Sequence, residues 1–189
     1  MKVFEKLTQL PIWAHGLGLV AVFGVFNVVK ARLDALYAAS GHPVDYATGQ
    51  TTFDAQRVKW FYDVMDQAGT LGIYVQTQIF DYVFMLSLAA FGAMLGTFVA
   101  RAGRQGSWAR RIGFTAAIAA VFGAVMDALE NGVSFVMLAD PAGFADWLVL
   151  PYSGFAAIKF ALIGLALLCV AACLIMAALG RVFKRPSLG

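Results

Sequence analysis

The chain has 189 residues, of which 61% are apolar and only 13% are charged, and its mean hydropathy is +0.76. Soluble domains average about 25% charged residues, so this composition excludes a disordered chain and argues against an ordinary soluble domain. The formal net charge of +3 comes from Lys and Arg residues gathered at the ends of long, nearly uncharged stretches. That distribution is typical of a membrane protein and not of a nucleic-acid-binding protein.

Four stretches are long and apolar enough to cross a bilayer, which takes about 20 mostly apolar residues in a helix. These stretches are residues 11–29, 73–100, 112–138 and 152–180. Each is too long for a strand and too uniformly apolar for a surface helix. The sequence therefore predicts an all-α protein, a single integral membrane domain built as a bundle of four transmembrane helices.

The link between the first two stretches, residues 30–72, is long and is the most polar part of the chain. Within it, residues 53–68 follow a plausible N-cap at Thr52 and place Trp60 and Phe61 close together on one helical face. We therefore predict an amphipathic helix that lies on the membrane surface or caps the bundle, with Trp60 and Phe61 turned inward.

Orientation is predicted from the basic residues of the connecting segments, because Lys and Arg resist translocation. One side carries Lys2, Lys6, Arg101, Arg104, Arg110, Arg111, Arg181, Lys184 and Arg185, and the other carries Lys30, Arg32, Arg57 and Lys59. Both termini are therefore expected in the cytoplasm, and residues 30–72 are expected outside it. The expected location is the inner (plasma) membrane of a bacterium.

Ionisable side chains at membrane depth are costly, roughly 3 kcal/mol each on insertion scales, and often mark a functional site. The predicted spans contain four of them and four further polar residues of interest: Asp81, Asp127, Glu130 and Lys159, with Asn27, Tyr82, Asn131 and Ser134. At a helical rise of ~1.5 Å per residue, Asp81, Glu130 and Lys159 lie roughly 10 Å inside the outer ends of their helices. One shared polar site is therefore predicted.

Within this site, Lys159 is expected to form an ion pair with Asp127 or Glu130, because an unpaired lysine would be expensive there. Three acids sharing one lysine cannot all be charged, so one carboxyl is expected to keep its proton. A purely structural interpretation stays open, since buried ion networks often only hold helices in register.

Small residues in the inner half of the predicted spans allow helices to approach closely. Gly92 and Gly96, and separately Gly123, are expected to form faces on which a partner membrane protein packs. The pair Cys169 and Cys173 lies one helical turn apart and is expected to serve packing, because this spacing gives poor disulfide geometry.

No metal and no cofactor are expected. The two histidines, His15 and His42, fall on opposite sides of the membrane and cannot jointly ligate a heme. Carboxylates without histidine favour hard cations, and Lys159 would oppose a cation beside Asp81 and Asp127.

The pattern Asp127, Glu130 and Asn131 resembles the DxxEN helix of small bacterial four-helix membrane proteins that have no assigned activity. The resemblance also includes Gly69, Gly72, Tyr74, Asp81, Phe155 and Lys159. It implies a four-helix membrane fold and supports the polar site, and it implies no reaction.

Three functions are compatible with these observations. The first is a binding protein or an accessory subunit of a membrane complex, whose site holds a lipid head group, a small amphiphile or a partner helix. The second is an intramembrane acid–base enzyme, an isomerase or a lipid-modifying enzyme, which would use one protonated and one ionised carboxyl. The third is a proton-coupled transporter. Membrane lipids are expected partners and nucleic acid is not.

Overall fold

The computed structural model describes residues 2–182, and the side chains of residues 2–179. These residues form seven α-helices and a one-turn 3-10 helix. The four long helices are α2 (Ile12–Ser40), α5 (Leu71–Ala100), α6 (Trp108–Leu138) and α7 (Val149–Val182), and the three short ones are α1 (Lys2–Gln9), α3 (Tyr46–Gln50) and α4 (Ala55–Gln67). The 3-10 helix, Asp146–Leu148, leads into α7.

The four long helices are each long and apolar enough to cross a membrane, which confirms the prediction of an all-α chain with four candidate membrane-spanning helices. The first continues to Ser40, so the prediction that a loop begins at residue 30 is wrong. An ion pair one turn apart, between Lys30 and Asp34, keeps this extension compatible with a helix. The helix ends where Gly41 adopts a left-handed conformation with φ of 65°.

The polar segment after α2 contains the predicted amphipathic helix, now α4, but its start differs from the prediction. Asp54 and not Thr52 is the N-cap, because the Asp54 carboxylate accepts hydrogen bonds from the backbone N–H groups of Gln56 and Arg57 at 2.9 and 3.2 Å. The Thr52 hydroxyl instead donates to the carbonyl of Thr48, in the middle of α3.

Helix α4 caps one end of the long helices. Its residues Val58, Tyr62 and Met65 join a buried cluster with residues from α5, α6 and α7. Phe61 points inward as predicted, with 1% of its surface exposed, whereas Trp60 is 50% exposed and the prediction for it is wrong. Trp60 and Phe61 are adjacent in sequence and so differ by about 100° around the helix, which separates their environments.

The long helices pack in chain order: α2 lies against α5, α5 against α6, and α6 against α7. Among the described residues, α2 and α7 hardly touch each other. The two outermost helices therefore leave a gap between them, and this gap positions the site described below.

The glycine faces are used inside the chain. A methyl group at Gly92 would overlap Ala120, and one at Gly96 would overlap the backbone of Ala117, so α5 and α6 approach closely there. Gly123 faces α7, near Ile163. These glycines thus allow the chain's own helices to approach closely, and a partner membrane protein stays a prediction.

The basic residues used to predict orientation are only partly within the described side chains. The side chain of Arg181 and all of Lys184 and Arg185 lie outside them. The described basic residues of that side, such as Arg101 and Arg110, lie at the ends of α5 and α6 remote from α4.

Candidate functional site

Lys159 of α7 is the centre of the polar layer. Its ammonium nitrogen lies 2.8 Å from Asp127 Oδ1, 2.5 Å from Glu130 Oε2 and 3.0 Å from Gln50 Oε1. The lysine is only 3% exposed. The predicted ion pair is thus confirmed, and Lys159 binds both acids of α6 rather than one.

Helix α6 supplies four polar residues to this layer from one face. Asp127, Glu130, Asn131 and Ser134 are separated by three or four residues, which places them on the same side of a helix. All four are buried. Because of this regular spacing, the four side chains form a polar stripe on α6 that faces α5 and α7.

A hydrogen-bond network extends the layer to α5. The Asn131 amide donates to Asp81 Oδ2 at 2.9 Å and to the carbonyl oxygen of Gln78 at 3.3 Å. The side-chain amide of Gln78 in turn donates to the Ser134 hydroxyl at 2.7 Å and to the Tyr74 hydroxyl at 3.2 Å. Asp81 is therefore held by amide groups of α5 and α6, and it lies beside the Lys159 cluster at the same cavity without a described hydrogen bond to it.

A cavity of about 180 Å³ lies in the gap between α2 and α7, with α5 and α6 behind it. We call it the α2–α7 cleft. Its apolar wall is formed by Leu33, Phe84, Phe160 and Ile163, and its polar floor by Gln50, Asp81, Asp127 and Lys159. The exposed ion pair of Lys30 and Asp34 lies at its edge, with 2.6 Å between the charged atoms. A polar floor beneath apolar walls is the usual composition of a small-molecule site.

A second, apolar groove lies next to this cleft, along the half of α7 that is remote from α4. It has a volume of about 50 Å³, it is lined by residues of α5, α6 and α7, and it shares Ile163 with the cleft. Leu167 and Val170 lie further along it. Charged groups thus border the first cavity and apolar groups the neighbouring one, with Ile163 lining both.

Two residues predicted for the site lie elsewhere. Asn27 is exposed on α2, and its side-chain amide donates to the carbonyl of Phe23 in its own helix. Tyr82 is largely on the outside of α5, where its ring stacks on Phe135 and its hydroxyl lies 3.4 Å from the carbonyl of Ala128. Neither lines the α2–α7 cleft.

Other residues of the site were absent from the sequence prediction. Gln50 comes from α3 in the polar segment, and no pattern in the sequence links it to Lys159. Gln78 could have been found, because a glutamine one turn before Asp81 in an apolar span shares its helical face. The apolar wall of the cleft consists of ordinary Leu, Ile and Phe residues, which carry no distinguishing signal.

Three buried polar atoms in or beside the layer make no hydrogen bond within the described part of the chain. They are Glu130 Oε1, Asn131 Oδ1 and the hydroxyl oxygen of Tyr62. Buried polar groups are nearly always hydrogen-bonded in folded proteins, so each one left without a partner requires an explanation. The network is thus incompletely satisfied by the protein itself.

An aromatic roof formed by Tyr37, His42, Tyr46 and Tyr74 covers a small polar cavity, of about 10 Å³, that also borders Asp81. The His42 ring stacks on Tyr37 at 5.2 Å between centroids. Burial lowers the pKa of His42 below its usual value, and burial raises the pKa of Tyr46. The roof is therefore neutral around neutral pH, and the charges are concentrated in the layer beneath it.

Comparison with models of known protein families, with curated protein sequences and with solved structures gives no match. The resemblance to DxxEN membrane proteins therefore stays a prediction.

Proposed function

We propose that this protein binds an amphiphilic molecule, with the polar end of the molecule at the charged floor of the α2–α7 cleft and its hydrocarbon part along the apolar wall. The observation that carries the proposal is the cleft itself, in which Asp81, Asp127 and Lys159 border the same space as Phe84 and Ile163. A single occupant with a polar and an apolar end satisfies both surfaces.

The position of the cleft supports entry from the bilayer. Because α2 and α7 hardly touch, no helix closes the gap between them. A lipid or another membrane-dissolved amphiphile would then reach the site sideways, without passing through the cap formed by α4. Such an occupant also agrees with the absence of any nucleotide or phosphate motif in the sequence.

The test is to purify the protein in a non-ionic detergent, extract it with organic solvent and quantify the co-purifying amphiphiles by mass spectrometry. Ile163→Trp adds an indole within the cleft and should remove them. Leu168→Trp makes a comparable change on the same helix at a position that is 71% exposed, and it should retain them. Equal amphiphile content in the two variants, with both still folded by thermal unfolding, would contradict the proposal.

A second candidate function is acid–base catalysis on the bound molecule. The observation that favours it is the different environment of two carboxyls in one cleft: Asp127 pairs with Lys159, whereas Asp81 is held by the amide of Asn131. Two carboxyls in different environments can serve as acid and base. Non-exchangeable deuterium entering the bound amphiphile in D₂O, and failing to enter it in Asp127→Asn, would support catalysis.

An accessory-subunit role and proton-coupled transport remain weaker proposals. A subunit would need a partner surface other than the glycine faces that α5 and α6 share. Transport would need polar residues leading from Asp127 toward the other side, but that direction is occupied by the close contact of Gly92 with Ala120.

The orientation also belongs to this proposal: both termini in the cytoplasm of a bacterium and α4 on the outer side of its inner membrane. A cysteine at Asp63, in a background with Cys169 and Cys173 replaced by alanine, should react with a membrane-impermeant maleimide added to intact cells. A cysteine at Arg104 should react only after the membrane is broken. The opposite pattern would reverse the orientation.

A further inference from the structure

The chemical class of the amphiphile follows from which donors and acceptors of the α2–α7 cleft are already used. Lys159 is the cation of its floor. An ammonium group has three N–H donors, and its three partners, Gln50, Asp127 and Glu130, account for all of them. An anionic head group would therefore have to displace a protein ligand before it could bind to Lys159.

The other donors at the cleft are also largely committed. Lys30 pairs with Asp34 at 2.6 Å, and the hydroxyl of Tyr46 donates to the carbonyl of Leu33 at 3.1 Å. Among the described buried groups of the cleft, the side-chain amide nitrogen of Gln50 is the donor without a hydrogen bond. Lys30, at the exposed edge, keeps two N–H donors, but Asp34 already balances its charge. One neutral amide is a poor counterpart for a phosphate or carboxylate in a low dielectric.

Acceptors, by contrast, are in excess. Asp81 accepts a hydrogen bond on Oδ2, and Asp127 accepts one on Oδ1. Within residues 2–179, the second oxygen of each carboxylate has no hydrogen bond, although Asp81 is only 6% exposed and Asp127 only 3%. Both side chains are therefore more than nine-tenths buried and border the cavity with an acceptor to spare.

The formal charges point the same way. Three carboxyl groups, those of Asp81, Asp127 and Glu130, face the single ammonium of Lys159. Carboxylates crowded in a low dielectric cannot all be charged, so one of them keeps a proton unless an additional positive charge next to Asp81 favours its ionised form. A protonated amine supplies that charge together with N–H donors for the two spare oxygens.

The apolar part of the site indicates the chemistry of the other end of the ligand. The apolar groove is lined on α7 from Ile163 to Val170, a distance of about 10 Å at the rise of an α-helix. A flexible alkyl chain matches a narrow groove of this length better than a bulky ring system does.

On the basis of the proposed function, we infer that the ligand is an alkylamine-type amphiphile, with a protonated amine between Asp81 and Asp127 and its alkyl chain in the groove. This assignment deepens the binding proposal by excluding anionic head groups as preferred occupants. The juxtaposition of spare carboxylate oxygens with a saturated lysine carries it.

The test compares three probes that share a twelve-carbon chain: dodecylamine, dodecanol and dodecanoate. Binding of each to the delipidated protein in a non-ionic detergent is measured by native mass spectrometry over a range of probe concentrations. We expect dodecylamine to bind about tenfold or more tightly than dodecanol, and dodecanoate more weakly still, since charge-assisted hydrogen bonds are about twice as strong as neutral ones.

Asp81→Asn should remove the preference for dodecylamine over dodecanol, because it takes away the carboxylate that pairs with the amine. Asp63→Asn makes the same change in charge on the exposed face of α4 and should keep the preference. A thermal unfolding measurement on both variants separates lost binding from lost folding.

The outcomes distinguish the two levels of the argument. If dodecanol binds as tightly as dodecylamine, or dodecanoate binds best, the amine assignment is wrong and the cleft still binds amphiphiles. If none of the three probes binds and Ile163→Trp has the same amphiphile content as the native chain, the binding proposal is wrong as well. Retention of the amine preference in Asp81→Asn would show that Asp81 is not the group that recognises the ligand.

Discussion

The membrane-spanning part of this protein contains two polar regions that differ in how completely the protein satisfies them. The outer region is the layer of Asp81, Asp127, Glu130 and Lys159 beneath the α4 cap. The inner region is centred on His15, near the start of α2. Both are buried in helices that are otherwise apolar.

The His15 region is closed. Its Nε2 lies 3.1 Å from the carbonyl oxygen of Met94, and Arg101 donates to its Nδ1 at 3.3 Å. This arrangement defines one neutral tautomer, with the proton on Nε2. Thr97 and Phe98 pack against the same ring, and His15 is fully buried.

The outer layer is open by comparison. It borders a cavity, contains more acids than bases and leaves several oxygens without a protein partner. The comparison teaches that burial of a polar residue does not by itself indicate function. What distinguishes the two regions is the presence of polar atoms without a hydrogen-bond partner next to a cavity. The outer layer has such atoms, and the His15 region lacks them.

The largest effect on stability is expected from Lys159→Met. The change leaves Asp127 and Glu130 buried without their cation, which should lower the free energy of unfolding by about 3–5 kcal/mol. Chemical unfolding in detergent measures it. Lys59→Met, which removes the surface ion pair with Asp146, is the matched control and should cost less than about 1 kcal/mol. Similar losses in both variants would mean that the buried pair contributes no more than a surface one.

The close contact between α5 and α6 is tested by Gly96→Ala. The added methyl would overlap the backbone of Ala117, so α5 and α6 must separate, at a cost of up to about 3 kcal/mol. Gly132→Ala adds the same methyl in α6 where nothing lies within 4 Å, and it should be neutral or slightly stabilising. Thermal unfolding of the two variants gives the comparison, and an unchanged melting temperature in Gly96→Ala would argue against the close contact.

The closed character of the inner region predicts that His15→Leu affects stability alone. The substitution removes the hydrogen bonds to Met94 and Arg101 and should cost about 1–2 kcal/mol. The amphiphile content of the purified protein should not change. A large loss of co-purifying amphiphile would show that the two regions are functionally coupled, which would weaken the contrast drawn between them.

The smallest effect is expected from pH acting on the roof of the outer layer. Because burial lowers the pKa of His42 from 6.5, the unfolded chain binds a proton more readily than the folded one as pH falls. Stability due to neutral His42 is therefore present above pH 6.5 and is lost as pH falls below that value. Hydrogen bonds from Thr48 lower the pKa of Asp45, so its contribution is lost only below pH 3.8.

We expect the melting temperature to be a few degrees lower at pH 5 than at pH 7.5, and part of this difference to disappear in His42→Phe, which keeps an aromatic ring in the roof. Scanning calorimetry at the two pH values provides the measurement. A pH dependence identical to that of the native chain would assign the effect to other groups.

The sequence predicts the spans and the layer well because both depend on properties of individual residues. A long apolar run identifies a helix that can cross a membrane, and helical rise alone places Lys159 at the depth of Glu130. The ion pairs follow from that depth, since a lysine there needs a counter-charge. These features require no knowledge of how the helices are arranged around one another.

The cleft and the hydrogen bond of Gln50 to Lys159 could not be predicted, because they depend on more than the properties of individual residues. They depend on which helices neighbour each other, and the chain-order packing that separates α2 from α7 leaves no pattern in the sequence. Trp60 and Thr52 show the same limit on a smaller scale. The start of the helix at Ala55 decides which residue is the N-cap. The difference of one position decides which of the two aromatic residues is buried. Apolar periodicity resolves neither.

The hydrogen bond from Lys159 to Gln50 bears on the order in which this protein matures. Lys159 lies in the last long helix, whereas Gln50 lies in α3, outside the four membrane-crossing helices. Insertion of the long helices can bring the ammonium next to Asp127 and Glu130, but its third ligand arrives only when the segment between α2 and α4 docks. The site is therefore complete only when both the long helices and this segment are in place, and a chain in which the segment is undocked would leave Lys159 with two of its three ligands.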